Sequence, residues 1–338
     1  MTDKVNNIAD WRVTLDGKDL SDRLRPRLVS LSLSEKRGDE ADQLDIVLSD
    51  TDGMLAIPKE GAVLKVHLGW KQGRDVTVGL VDKGSFKVDD VSHIGPPDQI
   101  TIKARAADFT SKIRNRREQS WKNTTLGAVL KDVAGRNGLA LKIAPALSSI
   151  ALNSISLSRE SDIAFLKRLG REHDAVATIK DKHLIFAKKG AGTTTSGKAL
   201  PTLTIRRSDG GSHSWQRQKR DGQEGVTASW HDKKGAKRET FTVGNADGAK
   251  KLRKVYPDEA SAKRAAIAER DRLKRAPATF DMKLALGRAD AIPEARVKVS
   301  GYKDEIDAAT WLISEVTHRL DKAGGFTTDL RMEVAPIT

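Results

Sequence analysis

"VSLSLSEKRGDEADQLDIVLSDTDG", residues 29–53, holds two runs in which apolar and polar residues alternate one for one. Val29, Leu31 and Leu33 oppose Ser30, Ser32 and Ser34, and further on Leu44, Ile46 and Leu48 repeat the pattern. Successive side chains on a strand point to opposite faces, so each run sets one face in a core and the other in water. The pattern extends both ways along the chain. Trp11, Val13 and Leu15 run into the turn pair Asp16 and Gly17; Leu64, Val66, Leu68 and Trp70 alternate, as do Ile100, Ile102 and Ala104. The stretches "SDTDG", "KQGRD" and "GPPDQ" punctuate the runs with Gly, Asp and Pro. Short half-buried strands joined by such turns predict antiparallel sheet closed into a barrel over residues 1–111.

The period then changes. In "NTTLGAVLKDVAGRNGLALKI", Leu126, Val129, Leu130 and Val133 form one helical stripe, Thr124 or Thr125 can cap its start, and Gly138 stands where a left-handed cap belongs. In "SRESDIAFLKRLGREHDA", Ser158 is the expected cap, Phe165, Leu166 and Leu169 share a face, and acidic and basic residues lie at the ends that suit the helix dipole. Short strands follow each helix, so residues 112–189 read as a small α+β domain. "KKGAGTTTSGKALP" supplies a linker at 190–200. Period two returns over 201–338, for example in Phe326, Thr328, Leu330, Met332 and Val334, interrupted by a helical insertion over about 257–276 that Pro257 and Asp258 start and Pro277 stops. The fold class is therefore α+β, mostly β: two antiparallel β-barrel-like modules flanking a small α+β domain.

Composition narrows the function. The chain has 338 residues and no cysteine, which excludes disulfides, thiolate nucleophiles and cysteine-ligated zinc. No run of about 18 apolar residues predicts a membrane span, and the N-terminus lacks a secretion signal, so synthesis in a cytoplasm is expected. The formal charge is +14, and residues 201–275 carry nineteen Lys/Arg against ten Asp/Glu. Arg217, Lys219 and Arg220, with Lys263, Arg264, Arg270, Arg272, Lys274 and Arg275 on the insertion helix, are the candidate contacts for a polyanion or an acidic partner. Aromatics make up 4% of the chain, too few for the stacking platforms of single-strand binders, so any nucleic-acid contact is expected to be non-specific.

The catalytic motifs are weak. His173 shares the apolar face of its helix near the C-terminus, while Asp174 lies about 100° round the wheel, badly placed to orient the imidazole. His173 reads as a semi-buried histidine whose charge the helix end favours. "GTTTSGK", residues 192–198, has the spacing of a phosphate-binding loop, but Ala199 replaces the magnesium-binding hydroxyl and Pro201 leads into a strand instead of a helix. The seven histidines contain no i, i+4 pair. No catalytic residue, cofactor or metal is expected, and no enzymatic activity.

Four segments carry a family likeness: "EKRGDEADQLDIVLSDTDGMLAIPKEGAVLKVHLGW", "TTLGAVLKDVAGRNGL", "SDIAFLKRLGREHDAVATIKDKHLIFAKKG" and "WLISEVTHRLDKAGGFTTDLRME". In this order and spacing they resemble the late control gene D family of contractile-tailed phages, whose members are similar to the head region of VgrG proteins and to R-type pyocin hubs. The resemblance implies a baseplate hub in a virion or tail-like particle. It implies a homotrimer of tandem barrels whose pseudo-sixfold ring joins the hexameric tail tube protein to a trimeric spike protein, with other baseplate proteins and the tape measure protein nearby and DNA passing non-specifically. The chain ends about where the second barrel is expected to close, so the spike is expected to be a separate polypeptide. The glycines Gly324 and Gly325 are assigned to a sharp structural turn. The alternative from the residues is a non-specific nucleic-acid-binding protein using the basic 201–275 region; a cell-wall hydrolase has no supporting motif.

Overall fold

A computed structural model describes residues 6–38, 41–106, 111–180, 182–217, 225–232, 235–275 and 278–335. The first strands are β1 (Ile8–Leu15), β2 (Lys18–Asp19), β3 (Leu28–Lys36), β4 (Gln43–Ser49), β5 (Val63–Gln72), β6 (Gly79–Ile94) and β7 (Gln99–Ala106), with the one-turn helix α1 (Ser21–Leu24) before β3. Next come β8 (Arg116–Thr125), α2 (Leu126–Arg136), β9 (Ala140–Ile143), α3 (Pro145–Ser148), β10 (Ala151–Ser161), α4 (Asp162–Glu172), β11 (Ala175–Lys180) and β12 (His183–Lys188). β13 (Thr202–Arg206), β14 (Gly210–Arg217), β15 (Val226–Asp232), β16 (Lys237–Val243) and β17 (Lys250–Tyr256) precede α5 (Glu259–Arg275). The last are β18 (Ala278–Leu284), β19 (Arg296–Ser300), α6 (Asp304–Asp307), β20 (Thr310–Asp321) and β21 (Gly325–Val334). The chain forms two compact units: Met1–Phe109 with Thr202–Ser214 and Phe280–Met332, and Thr110–Pro201 with Trp215–Thr279 and Glu333–Thr338.

The first unit is built on a 13-stranded sheet in the order β14-β18-β21-β20-β3-β4-β7-β6-β5-β1-β2, with β19 against β20 and β13 against β19. The alternating residues are its core: Trp11, Val13, Leu31, Leu33, Leu44, Ile46, Leu48, Leu64, Val66, Leu68, Trp70, Ile100, Ile102 and Ala104 are all buried. Each large aliphatic side chain among them contributes roughly 1.5–3 kcal/mol by leaving water. Val29 and Leu15, both half-buried, are the exceptions. A bulge between Leu28 and Ser30 turns Leu28 inward and leaves Val29 half-buried.

The closed barrels expected from the pattern do not form among the described residues. A strand has two edges, and β3 gives one to β4 and the other to β20, from Lys36 opposite Glu315 to Ser30 opposite Asp321. The edge that closure of the first module would need is taken by a strand from the far end of the chain. The result is one open sheet.

Where β3 meets β20 the core holds charge. Glu35 continues the inward phase of Leu31 and Leu33 and is 2% exposed, as is Lys83 on β6. The Lys83 ammonium lies 2.5 Å from Glu35 Oε2 and donates to the Ala289 carbonyl at 3.0 Å. His318 on β20 has its Nε2 3.3 Å from the same carboxylate oxygen and its Nδ1 2.9 Å from the Thr328 hydroxyl of β21. Burial, and secondarily the Lys83 charge, hold the imidazole below the usual histidine range. Trp70 completes the join, donating its indole N–H to the Gly287 carbonyl at 2.8 Å with Phe326 against its ring.

In the second unit β8 and β10 form a two-stranded ribbon, β9, β12 and β11 a small mixed sheet, and β16, β15 and β17 a third sheet covered by α5. The helical stripes are buried as their spacing requires: Leu126, Val129, Leu130 and Val133 on α2, and Phe165, Leu166 and Leu169 on α4. Thr125 caps α2 by accepting from the Ala128 N–H. The cap of α4 is Ser161, not Ser158, which lies within β10. Asp162, in the first turn of α4, is fully buried and bound by Arg136 from the last turn of α2 and by Asn137, so one carboxylate fixes both helices.

His173 ends α4, its N–H donating to the Leu169 carbonyl, and Asp174 turns the chain away at φ 48°. The helix end does not favour a charged ring here. Burial first, and then the nearby Arg264, push its pKa down to about 4.

Two expectations follow. Lys83→Met leaves Glu35 charged and buried and should destabilise the chain by about 3–5 kcal/mol in urea unfolding, while Glu35→Leu combined with Lys83→Met should recover most of that loss. Equal losses in the single and double variants would refute the pairing. His173 titrates at 6.5 in the unfolded chain and at about 4 in the fold. As pH falls between those values only the unfolded chain takes up the proton, so stability present above the upper value is lost across the window. His173→Gln should therefore reduce acid destabilisation in that range by up to about 3 kcal/mol, and an unchanged pH profile would contradict the assignment.

Candidate functional site

Six of the nine basic residues singled out in the sequence, Lys263, Arg264, Arg270, Arg272, Lys274 and Arg275, lie on α5. Asp258 starts this helix by accepting from the Ser261 N–H at 2.8 Å. Ala262, Ala265 and Ala266 let it lie close on the β15 sheet, packed with Val226, Ala228 and Tyr256. Its outer side chains carry alternating charge. Lys263 pairs with Glu259 at 2.7 Å, one turn apart, and sits over the Phe241 ring. Arg272 pairs with Glu269 at 2.5 Å, and the same carboxylate takes Lys250 of β17 at 2.6 Å. Arg270 contacts Asp271. Exposed pairs of this kind contribute about 0–1 kcal/mol each, but they lower the net positive potential a phosphate backbone would meet. Arg264 is different: it turns inward, half-buried, with its guanidinium on the Ser261 hydroxyl at 3.0 Å.

Arg217 stands exposed at the end of β14. Lys219 and Arg220 lie outside the described residues, as do the side chains of Lys274 and Arg275. Among the described residues the basic set therefore forms a laced helix face, not a continuous positive groove.

At the other candidate position, the turn between β20 and β21, the Asp321 carboxylate accepts from the N–H groups of Ala323 and Gly324. Only Gly325, at φ 66°, needs the conformational freedom of glycine. A Cβ on Gly324 would meet the Asp321 carboxylate at 3.3 Å. The phosphate-loop spacing at 192–198 is a turn stapled by a bridge between Thr193 and Ala199 and followed by strand β13. Among the described residues no three His, Asp or Glu side chains are grouped closely enough to hold a metal ion.

One surface escaped the sequence reading. The loop after β4 exposes Met54 (76%) and Ile57 (62%) while Leu55 packs beneath it against the core. "MLAIP", residues 54–58, is an apolar run outside any period, directly after a turn, and that is the only signal it gives. Adjacent exposed large apolar residues mark protein contacts more often than solitary ones do.

Comparison with known proteins agrees with this architecture. Residues 42–324 match the phage tail baseplate hub (GPD) family. The probable baseplate hub protein of Escherichia phage P2 is 41% identical over 365 aligned residues, covering 96% of this chain and 93% of that protein. The tail protein from Neisseria meningitidis MC58 shares the fold at a TM-score of 0.70 and 15% identity, with 96% of each chain covered. A type VI secretion component of E. coli, described as similar to T4 tail proteins, superposes at 0.55 and 13% identity over 98% of this chain and 77% of its own. Sequence and fold agree over nearly the whole length, and the chain belongs to the phage tail baseplate hub family.

Proposed function

We propose that this hub works as a homotrimer, with each chain supplying two comparable β modules, one from residues 1–111 and one from 201–338, beside the α+β domain of 112–189. Three chains then offer six docking surfaces to a hexameric tail tube protein while keeping threefold symmetry for a trimeric spike protein. Closed cyclic interfaces of this kind resolve the mismatch without a second polypeptide. The observation that supports this reading is the β3–β20 ladder, which joins strands from both ends of one chain in a single sheet of the first unit.

The hub's place is the tail baseplate of a virion or tail-like particle, with the chain made in the host cytoplasm. Other baseplate proteins and the tape measure protein are its further neighbours, and passing DNA makes only non-specific contact. The pairing of the α5 cations with carboxylates of the same unit favours this role over nucleic-acid binding as the primary function. The exposed Met54 and Ile57 are assigned to a protein contact inside the assembly.

Solution mass of the chain co-produced with its spike should include three copies of the 36.9 kDa subunit. A hub that stays monomeric beside its spike contradicts the trimer. Met54→Asp with Ile57→Asp should change chain stability by less than about 0.5 kcal/mol, since both side chains are exposed, yet lower the yield of assembled baseplates several-fold. Wild-type assembly by that variant removes the loop from the contact.

A further inference from the structure

Within the second unit, α4, β10, β15, β17 and α5 surround a cavity of ≈ 360 Å³. Its wall brings together Arg168, His173, His231, Lys254, Tyr256 and Arg264. Ser154 and Ser156 of β10 and Ser261 of α5 also line it. That volume lies at the lower end of the range of small-ligand sites.

The charges of this wall do not balance. Glu172 is its one carboxylate, and two cations already share it: Lys254 at 2.5 Å and Arg168 at 3.6 Å. Arg168 also holds Glu160 at 2.5 Å, so the two cations and two carboxylates cancel. Arg264 is left over. Among the described residues its hydrogen-bond partner is the neutral Ser261 hydroxyl, and it forms no ion pair with a carboxylate. Asp258 and Glu172 act on it only at longer range, and burial works against its charge. His173 beside it is neutral at physiological pH and cannot supply the missing anion. Burial chiefly, and Glu172 and Glu269 behind it, raise Tyr256 to about 12, which keeps its hydroxyl protonated.

A half-buried guanidinium without an anion is a desolvation cost that a ligand can offset, because its planar fork fits a carboxylate through two parallel N–H donors. Arg264 is the wall cation without an ion pair among the described residues, and Asp258 and Glu172 compensate its charge only at longer range. A monoanion neutralises it, whereas a dianionic phosphate would need a second uncommitted cation that the wall lacks. We propose that this cavity binds a carboxylate, with Arg264 as its principal ligand.

Such a carboxylate can come from a free small acid or from an acidic residue of a polypeptide, and titration calorimetry on the full chain at fixed ionic strength separates the two. The probes are sodium acetate, a blocked tripeptide acetyl-Gly-Glu-Gly-amide, and inorganic phosphate. Binding of acetate and peptide with equal affinity assigns a free acid; a peptide at least tenfold tighter assigns a polypeptide ligand. In either case Arg264→Gln should weaken binding tenfold or more, and Arg270→Gln, outside the cavity wall, should not. Carboxylate binding should also raise the His173 pKa above about 4 in imidazole NMR, since an anion beside the ring favours its protonated form. The proposal is overturned by absence of binding heat with both carboxylates, by tighter binding of phosphate, or by equal affinity in a folded Arg264→Gln chain. A thermal unfolding midpoint for each variant without ligand establishes that it is folded, and Lys254→Gln serves as the second cavity variant should Arg264→Gln fail to fold.

Discussion

The constraint on which the first unit depends is that a strand has only two edges. β3 spends one on its neighbour β4 and the other on β20, which enters from nearly three hundred residues away. Backbone hydrogen bonding alone would tolerate a slip of that ladder, but a one-residue shift would turn Leu31, Leu33 and Glu35 outward together. Glu35, Lys83 and His318 then make the register specific. A carboxylate with almost no access to water needs its ammonium partner, and only one alignment of β3, β6 and β20 supplies it. Buried ion pairs of this kind add little net stability, whereas removing one partner leaves a costly buried charge.

That join has a consequence for the hub. If the two ends of the chain formed independent barrels, a flexible connection could let them splay. A shared sheet removes that freedom. The second unit uses the same device at smaller scale, with Asp162 buried between Arg136 and Asn137 at the junction of two helices. In both units a buried carboxylate with charged partners, Glu35 in one and Asp162 in the other, sits among packed apolar residues.

The basic segment shows how misleading a charge count can be. The excess of cations over 201–275 is real in the sequence, yet in the fold Glu259, Glu269 and Asp271 lie next to Lys263, Arg272 and Arg270. Those pairs lie one to four positions apart and are visible on a helical wheel. The inward turn of Arg264 is not, because it depends on β10, β15 and β17 arriving from elsewhere to wall a cavity.

Alternation and helical stripes determined which residues are buried, since side-chain period follows from local backbone geometry: every inward position read on β4, β5 and β7, and the apolar faces of α2 and α4, lie in the core. The family likeness was equally local, carried by ordered segments. Long β6 was not legible, because Gly84 at φ 96° breaks its period, and the exposed ribbon of β8 and β10 has too little apolar contrast to announce itself. Tertiary structure alone decided that the sheet stays open, that Glu35 meets Lys83, and that Arg264 lacks a carboxylate. Each of these depends on which distant segments become neighbours, and residue spacing along a chain holds no direct record of that.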